Sequence, residues 1–70
     1  MTDTTTTSAA TAEHFAMWRK LAEGLTELQL RWIIKDCRDA AEAMSGWNPV
    51  KEGFYEDQAF TYADELRARR

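Results

Sequence analysis

The sequence predicts an all-α protein with a small three-helix arrangement in a single domain, residues 11–70. Three segments carry apolar residues at helical spacing, and the first two directly follow residues that commonly begin helices. Runs of alternating β-branched residues, which would indicate strands, do not occur. The links are short, so we expect neighbouring helices to be antiparallel, either as a three-helix chain or with faces completed by a second chain.

The first ten residues differ from the rest in composition. Residues 1–10 contain five threonines and one aspartate, and their apolar residues show no periodicity. Such a segment buries too little apolar surface to offset the entropy lost on ordering. We therefore predict a disordered tail.

The first helix is predicted over residues 12–23. Thr11 suits the N-cap, because its hydroxyl can accept a hydrogen bond from an amide of the first turn. Its apolar arc contains Phe15, Met17, Trp18, Leu21 and Ala22. His14 lies in this arc and is interpreted as an edge residue satisfied by hydrogen bonding. Gly24 is expected to end the helix, since glycine readily adopts the left-handed conformation.

The second helix is predicted over residues 27–44 and is expected to be the central core element. Thr26 and Gln29 form a capping-box pattern, and Leu25 can pack against Leu30 as a hydrophobic staple. The apolar stripe consists of Leu30, Ile33, Ile34, Cys37, Ala40, Ala41 and Met44.

The third helix is predicted over residues 54–69. Ser45 and Gly46 close the second helix, and Asn48 followed by Pro49 is typical of an N-cap and first helical position. Gly53 is expected to interrupt the turn that they begin. The apolar face then contains Tyr55, Ala59, Tyr62, Ala63 and Leu66.

The residue inventory argues against an enzyme. The chain of 70 residues has a net charge of -3, one cysteine and one histidine. Cys37 lies in an apolar stripe, where it acts as a small hydrophobic residue, and the chain offers no metal-ligand set or nucleophile beside a base. We expect no catalytic residue, metal, cofactor or small-molecule ligand.

The sequence also predicts where the protein is located and whether it associates with a partner subunit. Apolar runs stay below the roughly 18 residues of a membrane span, and the first residues lack the basic and apolar regions of a signal peptide. We therefore expect a cytoplasmic protein that does not enter the membrane. A chain this small often needs extra support, and a partner subunit is the expected source.

Three apolar residues do not fit the predicted core faces. Leu28 and Trp32 lie about 160° to 200° around the second helix from Leu30, and Phe60 lies about 120° from the centre of the third apolar face. Flanking helices could cover Leu28 and Trp32, or both could be anchors for a protein partner, where tryptophan is enriched. We predict a non-enzymatic protein that acts by protein contact, as a homodimer or bound to another protein.

Trp47 lies in the link between the second and third helices, in the stretch SGWNPVKEGF. Its ring could fold back over the open end of the core, near Met44. It could instead be an exposed partner contact. We favour the first interpretation and retain Trp47 as a contact candidate.

A small helix-turn-helix DNA-binding regulator is the alternative function. Two helices joined by a short glycine-containing turn resemble this motif, and the second helix would then present Gln29, Arg31, Lys35 and Arg38 to the major groove. The acidic balance of the chain disfavours a nucleic-acid partner, because such proteins usually carry a basic patch.

The segments NPVKEGFYEDQAFTYADELRARR and LRWIIKDCRDA resemble small uncharacterised helical proteins of actinobacterial phages and prophages. The shared features are Asn48-Pro49, Gly53, Tyr55, Asp57, Tyr62, and Glu65-Leu66 followed by arginines. The resemblance implies a setting rather than an activity. It favours an accessory protein that binds a host or phage protein in the bacterial cytoplasm.

Overall fold

The computed structural model describes residues 10–69, and this part of the chain contains three α-helices and no strand. The helices are α1 (Ala12–Glu23), α2 (Glu27–Met44) and α3 (Pro49–Ala68). The predicted all-α class is therefore confirmed. The predicted tail over residues 1–9 lies outside the described residues, whereas Ala10, also assigned to the tail, packs against the core.

The first two helices begin where capping chemistry predicts. The Thr11 hydroxyl accepts a hydrogen bond from the His14 amide, and His14 Nδ1 accepts one from the Thr11 amide. At α2, the Thr26 hydroxyl accepts from the Gln29 amide at 3.1 Å, and Gln29 Oε1 accepts from the Thr26 amide at 2.8 Å. These reciprocal bonds satisfy amides that a helix start leaves free.

The third helix begins earlier than predicted. Asn48 Oδ1 accepts from the Lys51 amide at 3.2 Å, and Pro49 occupies the first helical position. The turn that they start continues through Gly53, which is buried within α3, so the predicted start at residue 54 was wrong. A glycine inside a helix costs only about 1 kcal/mol, which a good cap and tertiary packing outweigh.

Gly24 also differs from the prediction. It ends α1 in a right-handed conformation, with φ −88° and ψ −2°. Its amide donates to the carbonyls of Leu21 and Ala22, which closes the helix as a tight final turn. Among the described residues, Gly46 is the one with a positive φ, which is +88°. It lies just after the end of α2.

The three helices pack around α3 rather than around α2. α3 lies along α2, and it also contacts α1, which touches α2 little. Phe54 near the start of α3 meets His14 and Trp18 of α1, and Arg69 at the other end donates to the Ala22 carbonyl. α1 and α3 therefore run in the same direction, and α2 runs opposite to both.

The core is formed by all three helices. Its buried residues are Trp18, Ala22, Leu30, Ile34, Cys37, Ala59 and Tyr62. Met17 and Leu21, predicted in the apolar arc of α1, are exposed instead. The reason is that α1 uses Trp18 and Ala22 against α3 and has no second helix beside its outer flank. Among the described helices, none combines the length and the apolar character needed to cross a bilayer.

Candidate functional site

An open groove runs between α2 and α3. Its larger depression has a volume of about 560 Å³. An adjoining depression of about 280 Å³ shares Arg38, Ala63 and Arg67 with it. We call the two together the α2–α3 groove. Its lining residues are Arg31, Ile34, Arg38, Ala41, Glu42, Ser45, Glu52, Glu56, Ala59, Phe60, Ala63, Leu66 and Arg67.

Small side chains leave the middle of this groove open. Ala41 and Ala59 are buried beneath it, and Ala63 is half-buried. Each extends only one carbon from the backbone, so the groove reaches close to the backbones of both helices. Ile34 and Leu66 add apolar surface at one end.

Opposite charges occupy opposite ends of the groove. Arg31 and Arg67 form its basic end, whereas Arg38 lies in the middle, where the two depressions meet. Glu42, Glu52 and Glu56 form its acidic end. The separation follows from topology, because antiparallel packing brings the start of α2 beside the end of α3.

The three arginines that line the groove differ in their ion-pair partners. Arg31 forms an ion pair with Glu27 at 2.8 Å. Arg67 pairs with Asp64 at 3.2 Å, and its guanidinium lies 5.6 Å from the centroid of the Phe60 ring. Arg38 has no ion-pair partner among the described residues, so its charge is available to a molecule that enters the groove.

Phe60 borders the groove on the α3 side. Its side chain is 63% exposed although it is large and apolar. The adjacent Ala59 points into the core, because successive helix positions differ by about 100°. Phe60 therefore projects from α3 beside the groove with most of its ring exposed to solvent.

Leu28 and Trp32 are exposed on α2, at 64% and 61%. With Arg31 and Lys35 they line a shallow depression of about 230 Å³. The interpretation that flanking helices cover both residues was wrong, because α1 packs on α3 instead. Arg31 lines this depression as well as the groove, so the two adjoin at Arg31.

Trp47 does not cover the end of the core. Its side chain is 68% exposed, and its Nε1 donates to the Ala43 carbonyl at 2.7 Å. The Trp47 and Asn48 amides both donate to the Met44 carbonyl, which folds the link into a tight turn. This geometry directs the indole back along the outside of α2, and Trp47 lies outside the groove lining.

The residues predicted for DNA contact are mostly engaged within α2. Gln29 belongs to the capping box, and Arg31 is paired with Glu27. Lys35 Nζ donates to Asp39 at 2.8 Å, and this hydrogen bond raises the pKa of Lys35. Arg38 faces the groove that it shares with glutamates. The DNA-binding alternative stays a prediction, with no added support from this arrangement.

The surroundings of Cys37 and His14 assign both side chains to packing and helix capping. Cys37 is buried, whereas His14 packs against Trp18 and Phe54 and completes the α1 cap. No group of three or more potential metal ligands occurs within residues 10–69. Burial, with a smaller contribution from Asp36, raises the pKa of the Cys37 thiol.

We predict that Cys37 reacts slowly with a disulfide reagent in the native protein. The thiolate is the reactive form, and a raised pKa together with burial lowers its accessible fraction. The rate at pH 8 should be at least about tenfold lower than the rate for the same chain in urea. Equal rates in the two conditions would show that the thiol is open to solvent.

Sequence reasoning missed the groove itself. It assigned Ala41, Ala59 and Ala63 to core faces. The available signal was the pair of alanines four residues apart on α3, beside a phenylalanine outside the core face. Such spacing leaves a shallow strip on one helix, but its partner strip on α2 becomes visible only after docking.

The fold and its surface define a small all-α protein of three helices with an amphipathic groove between α2 and α3. No known protein family, curated protein or solved structure matches the chain. The inference of function therefore depends on the groove and the exposed side chains around it.

Proposed function

We propose that this is a non-enzymatic helical protein that acts by contact with another protein. The contact surface is the α2–α3 groove with Phe60 on its border and Leu28 and Trp32 beside it. The observation that carries the proposal is the groove itself, a long apolar floor bordered by an exposed aromatic ring and charged ends.

The exposed apolar residues support recognition by a protein. Single exposed hydrophobic residues are ordinary, but exposed apolar groups that border adjoining depressions indicate an interaction site. Aromatic residues and arginine are enriched among the residues that dominate binding energy, and both are present in Phe60, Trp32, Arg38 and Arg67. An apolar centre with a charged rim is the usual anatomy of such an interface.

The chemistry of the groove suits recognition better than catalysis. General acid–base catalysis needs an acid and a base within hydrogen-bond reach of one substrate position. The titratable groups that line this groove are glutamates and arginines. The groove is also open, so it would not exclude water from a reacting group.

The resemblance to phage and prophage proteins suggests the setting. An accessory protein of that kind would act in the host bacterial cytoplasm, on a host or phage protein or on a second copy of itself. A buried free thiol at Cys37 is compatible with a reducing compartment.

Site-specific photo-crosslinking tests the proposal. A photoreactive phenylalanine replaces Phe60 in the full chain, in the cells where the protein is naturally made. Illumination should give one or a few discrete adducts, because a specific partner presents the same atoms to this ring each time. The masses of the adducts, measured after purification, report what the partner is.

A matched control uses the same photoreactive residue at Arg19, which is exposed on α1 and does not line the groove. This position should give no discrete adduct. Absence of adducts from position 60, or an identical pattern from both positions, would contradict the proposed contact surface.

A further inference from the structure

We propose that the groove is covered by the groove of a second copy of this chain. The two copies are related by a two-fold axis that lies in the plane of the interface, perpendicular to the helices. This inference rests on the proposed function and names its partner. In the pair, α2 lies against α2 and α3 against α3, each in the opposite direction. The result is a four-helix arrangement flanked by the two α1 helices.

The charge distribution is self-complementary under this symmetry. The perpendicular axis reverses each groove end to end, so the basic end of one copy lies over the acidic end of the other. Arg31 then faces Glu42 of the second copy, and Arg67 faces its Glu56. Each contact occurs twice, as in any two-fold interface.

The other simple two-fold axis runs parallel to the helices and gives the opposite result. It would lay α2 of one copy over α3 of the other without exchanging the ends. Arg31 would then face Arg67, and Glu42 would face Glu56. Like charges opposite one another disfavour association, so the charge pattern selects the perpendicular axis.

The apolar residues match the same axis. Phe60 lies four residues after Glu56 and seven residues before Arg67 along α3. An axis that pairs Glu56 with Arg67 therefore passes less than one turn from Phe60 and brings the two phenyl rings near each other. Ala59 and Ala63 leave the space into which these rings can fit.

The small size of the domain gives a physical reason to associate. A core of this size supplies only a small margin of stability, and small domains commonly gain the rest from a partner subunit. Covering the groove would remove Phe60 and the alanine floor from water while leaving the charged ends at the rim.

Charge reversal at one pair of positions tests the arrangement. Arg31→Glu and Glu42→Arg are chosen because both side chains are exposed and an exposed ion pair contributes little to folding. Sedimentation velocity over micromolar to submillimolar concentrations measures self-association. Wild type should dimerise, and each single variant should associate at least about tenfold more weakly, because two attractions become two repulsions.

An equimolar mixture of the two variants should recover the dimer. In the mixed pair, the glutamate introduced in the first variant faces the arginine introduced in the second. The native Glu42 of the first variant likewise faces the native Arg31 of the second. The chain that carries both substitutions should also dimerise. Circular dichroism melting checks that each variant is folded. Phe60→Ala is a second test of the interface, because it should weaken the dimer without changing any charge.

Two results would overturn this inference. A wild-type chain that stays monomeric throughout has no such dimer, and a dimer unaffected by both charge variants and Phe60→Ala uses another surface. Crosslinking separates this failure from that of the proposed function. An adduct of twice the chain mass supports the dimer, an adduct of another mass supports only a different protein partner, and no adduct contradicts both.

Discussion

Replacing Trp18 by alanine is expected to lower the free energy of unfolding by about 3–5 kcal/mol. The Trp18 side chain is only 2% exposed. Its ring lies 5.1 Å from that of Phe54, 5.4 Å from Phe15 and 5.6 Å from His14, between ring centroids. It is the main apolar contact that holds α1 against α3, so its removal leaves a cavity at that junction.

A loss of this size should unfold most of the molecules. A single small core of about 60 residues usually supplies no more than about 3–5 kcal/mol in total. Urea denaturation followed by far-ultraviolet circular dichroism at about 25 °C measures the change. We expect a reduced helical signal without denaturant and a transition shifted to much lower urea concentration.

The other two tryptophans provide matched controls. Trp32→Ala should change stability by less than about 0.5 kcal/mol, because the ring is exposed. Trp47→Ala removes one hydrogen bond to the Ala43 carbonyl, worth about 1 kcal/mol. Measurements on dilute samples keep self-association from contributing. Equal losses at all three positions would contradict the burial pattern that distinguishes Trp18.

Local chemistry made the helix starts predictable. The capping boxes at Thr11 and Thr26 need only residues within one turn, and both starts were placed correctly. The end of α2 at Met44 was also correct, because Ser45 and Gly46 follow it directly. These features depend on hydrogen bonds within one or two helical turns. The residues next to each helix end are therefore enough to predict them.

The errors came from competition between local signals and packing. Gly53 disfavours a helix, but the Asn48 cap and burial against the core favour one, and the sequence alone does not give their balance. The sequence alone did not indicate the position of α1 either. Arg69 donates to the Ala22 carbonyl, 47 residues away in the chain, and so completes the end of α1.

The candidate site was predictable in part. Helical angles identified Leu28, Trp32 and Phe60 as outside the core faces, and all three are exposed. Whether other helices would cover them depended on docking, which angles within one helix do not determine. Trp47 was placed wrongly for a similar reason. Its orientation follows from the turn geometry around Gly46 and from the Ala43 carbonyl, not from the hydrophobicity of the indole.

Replacing Tyr62 by alanine is expected to disrupt the contact between α2 and α3, again at a cost of about 3–5 kcal/mol. Tyr62 is 1% exposed, and with Leu30 it is among the largest fully buried side chains. The cavity would open in the cluster that also contains Ile34 and Cys37. Urea denaturation should show loss of the cooperative transition, because α2–α3 packing forms most of the tertiary structure.

Two substitutions on the same helix separate ring burial from other effects. Tyr62→Phe keeps the ring and loses only the hydroxyl that accepts a hydrogen bond from Gln58 at 3.2 Å, so a loss of about 1 kcal/mol or less is expected. Phe60→Ala removes an equally large ring two residues away, where about 200° of helical rotation turns it toward the groove. In dilute monomer it should change stability by less than about 0.5 kcal/mol. A large loss for dilute Phe60→Ala would mean that Phe60 belongs to the core of the single chain, which would remove the basis for assigning it to a partner surface.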